Sequence, residues 1–202
     1  EPERPVATRA PAPLSRAAML RLGRAYWWVA GVGVVFTLAR FSEAFLILRA
    51  GESGLAPTWA PAVMVLMSLA FSLSAYPAGA LSDRVDRTSV LAVGTGCLIA
   101  ADLLLAFVPG LGGLVLGVVL WGLHMGLTQG LFAALIADNA PIELRGTAFG
   151  LFHLLTGSTL LLASIVAGVL WDALGYRGTF VGGAALATLA LFGLAKLSRH
   201  LR

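Results

Sequence analysis

Six long apolar runs separated by short, turn-rich loops dominate the pattern of hydrophobic and polar positions along the chain. They cover approximately residues 25–48, 59–82, 89–108, 112–137, 146–170 and 178–197. A bilayer core about 30 Å thick is crossed by roughly 20 helical residues. The runs also lack the strict alternation of a barrel strand. The pattern predicts an all-α integral membrane protein of six transmembrane helices, with consecutive helices as antiparallel neighbours.

Composition agrees: 58% of the residues are hydrophobic and 12% charged, about half the roughly 25% of a soluble domain. The net charge of +4 is too small to suggest nucleic acid. A single cysteine, Cys97, excludes an internal disulfide and offers no metal cluster. Arginine far outnumbers lysine, a bias of GC-rich bacterial genomes. Residues 1–16, "EPERPVATRAPAPLSR", have no apolar core and so are no signal peptide. Residues 1–24 are expected to form a cytoplasmic linker with a short basic amphipathic stretch. A linker at the very start predicts that the chain is the back part of a longer protein. Residues 199–202 form a short tail.

Charge placement orients the bundle. One side collects Arg4, Arg9, Arg16, Arg21, Arg24, Arg84, Arg87, Arg145, Lys196, Arg199 and Arg202; the other has only Arg49 and Arg177. Both ends of the chain are therefore expected in the cytoplasm, with Arg49 reaching outward to the far interface. A short motif also repeats: "GALSD" (Gly79 to Asp83) closes the second run and "GVLWD" (Gly168 to Asp172) the fifth, on opposite sides of the membrane. A 3+3 inverted repeat would place them so, and inverted repeats are characteristic of secondary transporters.

The loop after the second run reads "GALSDRVDRTS". Gly79 permits close backbone approach. Asp83 can accept from the free N–H groups at another helix's first turn, and Arg84 and Arg87 hold the loop in the cytoplasm. Here the chain resembles the major facilitator superfamily (MFS), whose loop signature is Gly-x-Leu-Ala/Ser-Asp-Arg-x-Gly-Arg-Arg/Lys. Gly79, Leu81, Ser82, Asp83, Arg84 and Arg87 match; Asp86 and Thr88 depart, as in the degenerate copy of the second half. "GLHMGLTQG" and "APIELRGTAFGLFH", with Arg145, Gly146 and Thr147 opening the latter helix, are similar to the tenth and eleventh helices of bacterial members.

The resemblance implies that residues 25–198 form the C-terminal six-helix half of a twelve-helix fold. It implies a multi-pass protein of the bacterial inner membrane that moves a small molecule by alternating access. Proton coupling is expected, with efflux favoured over uptake. An ion gradient, not a cofactor, would supply the energy. The expected partners are the substrate, the bilayer and an N-terminal six-helix half absent from this chain, onto which Asp83 would dock. A non-transporting receptor or assembly protein, or a self-sufficient homodimeric half-transporter, are the alternatives. Enzyme chemistry is not expected. Ser158 in "TGSTLL" lacks the Gly-x-Ser-Gly of an intramembrane protease, and "DNAP" is not the paired Asn-Pro-Ala of an aquaporin.

Polar residues inside the runs mark the candidate pathway. A charge at a helix centre costs roughly 2.5–3.5 kcal/mol on insertion scales. In a continuous helix Thr37, Arg40 and Glu43 share an arc of about 120°, and Arg40 and Glu43 lie within reach as an i, i+3 pair. Their face is expected to turn toward a water-filled cavity or the missing half, not toward lipid. In the fourth run Gly122, Gly126 and Gly130 form a close-packing seam, which turns His124 and Thr128 toward the cavity. Gln129 is expected to be buried, His153 to lie on a tightly packed face, and Asp102 to reach toward water at the outer end. Tyr76-Pro77 marks a kink.

Overall fold

A computed structural model describes residues 16–200, with side-chain detail for 18–192. Most of the expected linker, the end of the tail, and the side chains of Arg4, Arg9, Arg16, Lys196, Arg199 and Arg202 lie outside the described residues. Among the described residues all regular structure is helical: α1 (Arg16–Arg21), α2 (Gly23–Leu38), α3 (Ala44–Glu52), α4 (Ala60–Ser82), α5 (Arg87–Phe107), α6 (Gly110–Asn139) and α7 (Arg145–His200), with 3-10 turns at Pro57–Trp59 and Ile142–Leu144. Four stretches are long and apolar enough to cross a membrane: Pro57–Ser82, Arg87–Phe107, Gly110–Asn139 and Ile142–Phe192. Val65, Leu69 and Leu73 on α4, and Leu161, Ile165 and Val169 on α7, are exposed. Such faces suit lipid and would aggregate in water. The protein is a multi-pass membrane protein.

The helix α7 is two arms. Gly175 has φ 70° and ψ −173°, a backbone that side-chain-bearing residues rarely adopt. Thr179 Oγ1 donates to the carbonyl of Ala167 over 3.1 Å. Twelve residues of straight helix would hold those groups about 18 Å apart. The arm after Gly175 therefore folds back along the arm before it.

The run expected as one helix over 25–48 is instead broken. After α2 ends at Leu38, residues 39–43 leave the helical path, and α3 resumes at Ala44. The segment contains neither glycine nor proline, so its cause is tertiary. Phe41 turns into the core against Phe45, Trp121 and Phe180, with ring centroids 5.2, 5.2 and 5.5 Å away. The backbone N–H of Ser42, freed by the break, donates to Ser164 Oγ of α7 over 3.1 Å. Irregular backbone at membrane depth is tolerated where a neighbouring helix supplies such a partner.

The helix α6 holds the bundle together. A Cβ at Gly122 or Gly126 would collide with the backbone and side chains of Met67, Ala70, Phe71 and Ser74 on α4, so the expected seam packs there; Gly130 meets nothing within 4 Å. On the α5 side, Gly94 admits Thr128 and Leu127, and Gly117 admits Leu105. Tyr26 Oη donates to the Ala148 carbonyl over 2.9 Å and ties α2 to α7. Asp86, one of the departures in the loop motif, has a local role: it caps α5 by accepting from the Ser89 N–H at 3.3 Å.

Candidate functional site

The end of α2, the middle of α6 and the first arm of α7 enclose a cavity of about 410 Å³. Gly33 makes room for it on the α2 side, because a Cβ there would run into the Phe152 ring. Phe36 and Phe132 meet edge to face at 5.4 Å and, with Phe152, form the apolar wall. The polar wall consists of Thr37, Arg40, His124, Thr128, Gln129, His153 and Thr156. No carboxylate is among the lining residues.

Most of these polar groups already have partners. The hydroxyls of Thr37, Thr128 and Thr156 each donate over 2.8 Å to the carbonyl four residues back, those of Gly33, His124 and Phe152. They therefore offer oxygen lone pairs to the cavity. The His124 ring is buried, and its Nδ1 lies 2.8 Å from the Gly94 carbonyl. A carbonyl only accepts, so Nδ1 carries the hydrogen.

Arg40 is different. Its guanidinium has neither a hydrogen bond nor an ion pair among the described residues. The expected i, i+3 pair with Glu43 makes no ion-pair contact, because the break at 39–43 takes the two residues off a common helix, although the Glu43 charge still acts favourably on the guanidinium. Glu43 stands half-buried at the start of α3, outside the cavity lining and without an ion-pair contact to Arg40. Four of the five residues expected along the path, Thr37, Arg40, His124 and Thr128, thus share one cavity, and Glu43 does not.

Three further expectations are corrected. His153 faces the cavity, not a packed seam: Gly146, Gly150 and Gly157 of its face meet nothing within 4 Å, and its ring stacks on Phe149 at 6.4 Å. Gln129 is exposed and lines the cavity. Asp102 is fully buried against Gly183, and neither carboxylate oxygen has a partner among the described residues. The Trp121 indole Nε1, likewise without a partner, belongs to the same core.

Arg49 does not reach outward as expected. It is 2% exposed. Its Nε donates to the Leu105 carbonyl over 2.8 Å, and its two terminal nitrogens donate to Ser53 Oγ over 2.5 Å and to the Val108 carbonyl over 3.3 Å. Its guanidinium carbon lies 4.2 Å from the Tyr176 ring centre. The two carbonyls close the C-terminal end of α5, where a helix leaves acceptors unpaired and favours a cation.

None of the loop-motif residues lines the cavity. Gly79 is exposed with nothing within 4 Å, and Asp83 and Arg84 are exposed at the end of α4. Arg87 pairs with Asp138 of α6 at 2.7 Å. Arg145 and Gly146, exposed, and Thr147, half-buried, open α7.

Two comparisons with known proteins bear on this arrangement. The family model for the Major Facilitator Superfamily matches residues 29–201. An uncharacterized MFS-type transporter of Methanocaldococcus jannaschii is 33% identical over 165 residues, which are 79% of this chain and 41% of that relative. The chain thus spans about two fifths of the length of the curated relative it matches. No solved structure matches it. With nearly the whole of its helical bundle matched by the family model, the chain belongs to the Major Facilitator Superfamily.

Proposed function

We propose that the chain forms one half of a secondary active transporter, with the cavity between α2, α6 and α7 as its share of the substrate path. The observation that carries this reading is Arg40, without a hydrogen bond or ion-pair contact among the described residues, facing an open, partly polar cavity inside an otherwise apolar bundle. Counting α2 and α3 as one broken pass and the arms of α7 as two gives six passes, the number expected of a 3+3 inverted-repeat half. In this reading Gly79, exposed with open space beside it, and Asp83, exposed and with no side-chain hydrogen bond among the described residues, dock on the other six-helix half. Alternating access then exposes the cavity to each side in turn. The protein sits in a bacterial inner membrane with both ends of this chain in the cytoplasm, and a proton gradient, not a cofactor, drives export.

Uptake into vesicles of the complete carrier, with and without an imposed proton gradient, tests the reading. Glu43, half-buried beside the helix break, is the proposed coupling group. Glu43→Gln is expected to keep protein yield and substrate exchange while losing accumulation against a gradient; normal accumulation removes it from coupling. Cysteines placed near Asp86 and Asn139 are expected to label only from the cytoplasm, and those near Gly51 and Gly175 only from outside. Outside labelling at Asp86 contradicts the orientation.

A further inference from the structure

We infer that the cavity takes a small organic anion, a carboxylate or phosphate group on an apolar body, with Arg40 as its charge partner. The inference rests on reading the cavity as a substrate site. Its volume of about 410 Å³ lies within the roughly 300–1,000 Å³ of small-molecule sites. The charge lining it is of one sign: Arg40, with no aspartate or glutamate in the wall. A cation with no acceptor in contact at membrane depth is costly: the Glu43 charge acts on Arg40 from outside the wall but makes no ion pair with it, whereas Arg49 is given three acceptors. The ligand is what completes Arg40.

The remaining groups sharpen the class. The three threonine hydroxyls have committed their hydrogens to backbone carbonyls, so they give nothing to an anion and accept from a donor on the ligand. Gln129, on the same wall and with no hydrogen bond among the described residues, supplies an amide donor beside the guanidinium. The fork of Arg40 suits two oxygens of a carboxylate or phosphate. Phe36, Phe132 and Phe152 on the facing wall suit an apolar or aromatic remainder.

The test is thermal stabilisation of the complete purified protein by four ligands of one shape: benzoate, phenyl phosphate, benzyl alcohol and benzylamine. One or both anions are expected to bind at least about tenfold more tightly than the alcohol, as a charge-assisted bond requires, and benzylamine not at all. Stabilisation by both identifies a general anion site; stabilisation by one names the group. Arg40→Gln is expected to erase the preference for anions, and Arg40→Lys to keep part of it. Equal or tighter binding of the alcohol or the amine overturns the inference, as does no binding by any of the four. The wild-type series decides this even if Arg40→Gln fails to fold. Anion binding without gradient-driven uptake leaves this inference standing and removes the transporter reading. Driven uptake of a neutral or cationic solute, with no anion binding, does the reverse.

Discussion

Arg40 lies in the helix break and Arg49 nine positions on, in α3, and the chain treats them in opposite ways. Arg49 is enclosed by two carbonyls at the end of α5, a serine hydroxyl and the face of Tyr176, which follows the bend in α7. It joins three parts of the bundle, and every part of its guanidinium has a use within the fold. Arg40 faces a cavity and touches no acceptor among the described residues. A charge with a complete set of protein partners is explained by the fold. A charge without them needs an explanation from outside it, and this difference, more than the mere presence of arginine in an apolar run, separates a structural residue from a binding one.

The comparison breaks most visibly at Arg49. Arg49→Ala takes the cation from the buried carbonyl of Leu105 and the part-buried one at Val108 and is expected to lower stability by roughly 3 kcal/mol, since hydrogen bonds to a charged group contribute about 1.5–3 kcal/mol. Thermal unfolding in detergent, together with membrane yield, measures it; an unchanged midpoint means the clamp contributes nothing. A smaller loss is expected for Tyr176→Leu, which removes only the ring under the guanidinium. Cation–π contacts contribute about 0.5–2 kcal/mol, and a loss as large as that of Arg49→Ala makes the ring, not the carbonyls, the main partner. Smallest of all is Arg40→Gln. It removes a charge with no hydrogen bond or ion-pair contact among the described residues and only the longer-range attraction of Glu43 to lose, so stability is expected to stay within about 1 kcal/mol of wild type.

The sequence made part of this legible. Long apolar runs announced a helical membrane protein, and the "GALSDRVDRTS" loop pointed to the family that the comparison then showed. Helical periodicity turned Thr37, Arg40, His124 and Thr128 toward a common space, and the structure brings them to one cavity. The break at 39–43 was not legible, because its cause is the seating of Phe41 among aromatic rings from α6 and α7. Without the break Arg40 and Glu43 form a plausible pair; with it they attract without an ion-pair contact. Arg49 was misread because its acceptors are backbone carbonyls of a distant helix end, which no residue pattern displays. Periodicity put His153 on the same face as several glycines but could not say whether that face met a neighbour, and it borders open space. The capping role of Asp86 could have been found: an aspartate three residues before a serine at the start of an apolar run is a helix-start pattern.

The central claim is that Arg40 is held for a ligand and Arg49 for the fold. Its most direct test measures thermal stability and benzoate or phenyl phosphate binding side by side on Arg40→Gln and Arg49→Gln in the complete protein. Arg40→Gln is expected to melt like wild type but to lose anion stabilisation. Arg49→Gln should melt well below wild type, and its folded fraction should bind the anion as wild type does. Loss of stability at Arg40 as large as at Arg49, or anion binding that survives Arg40→Gln unchanged, contradicts it.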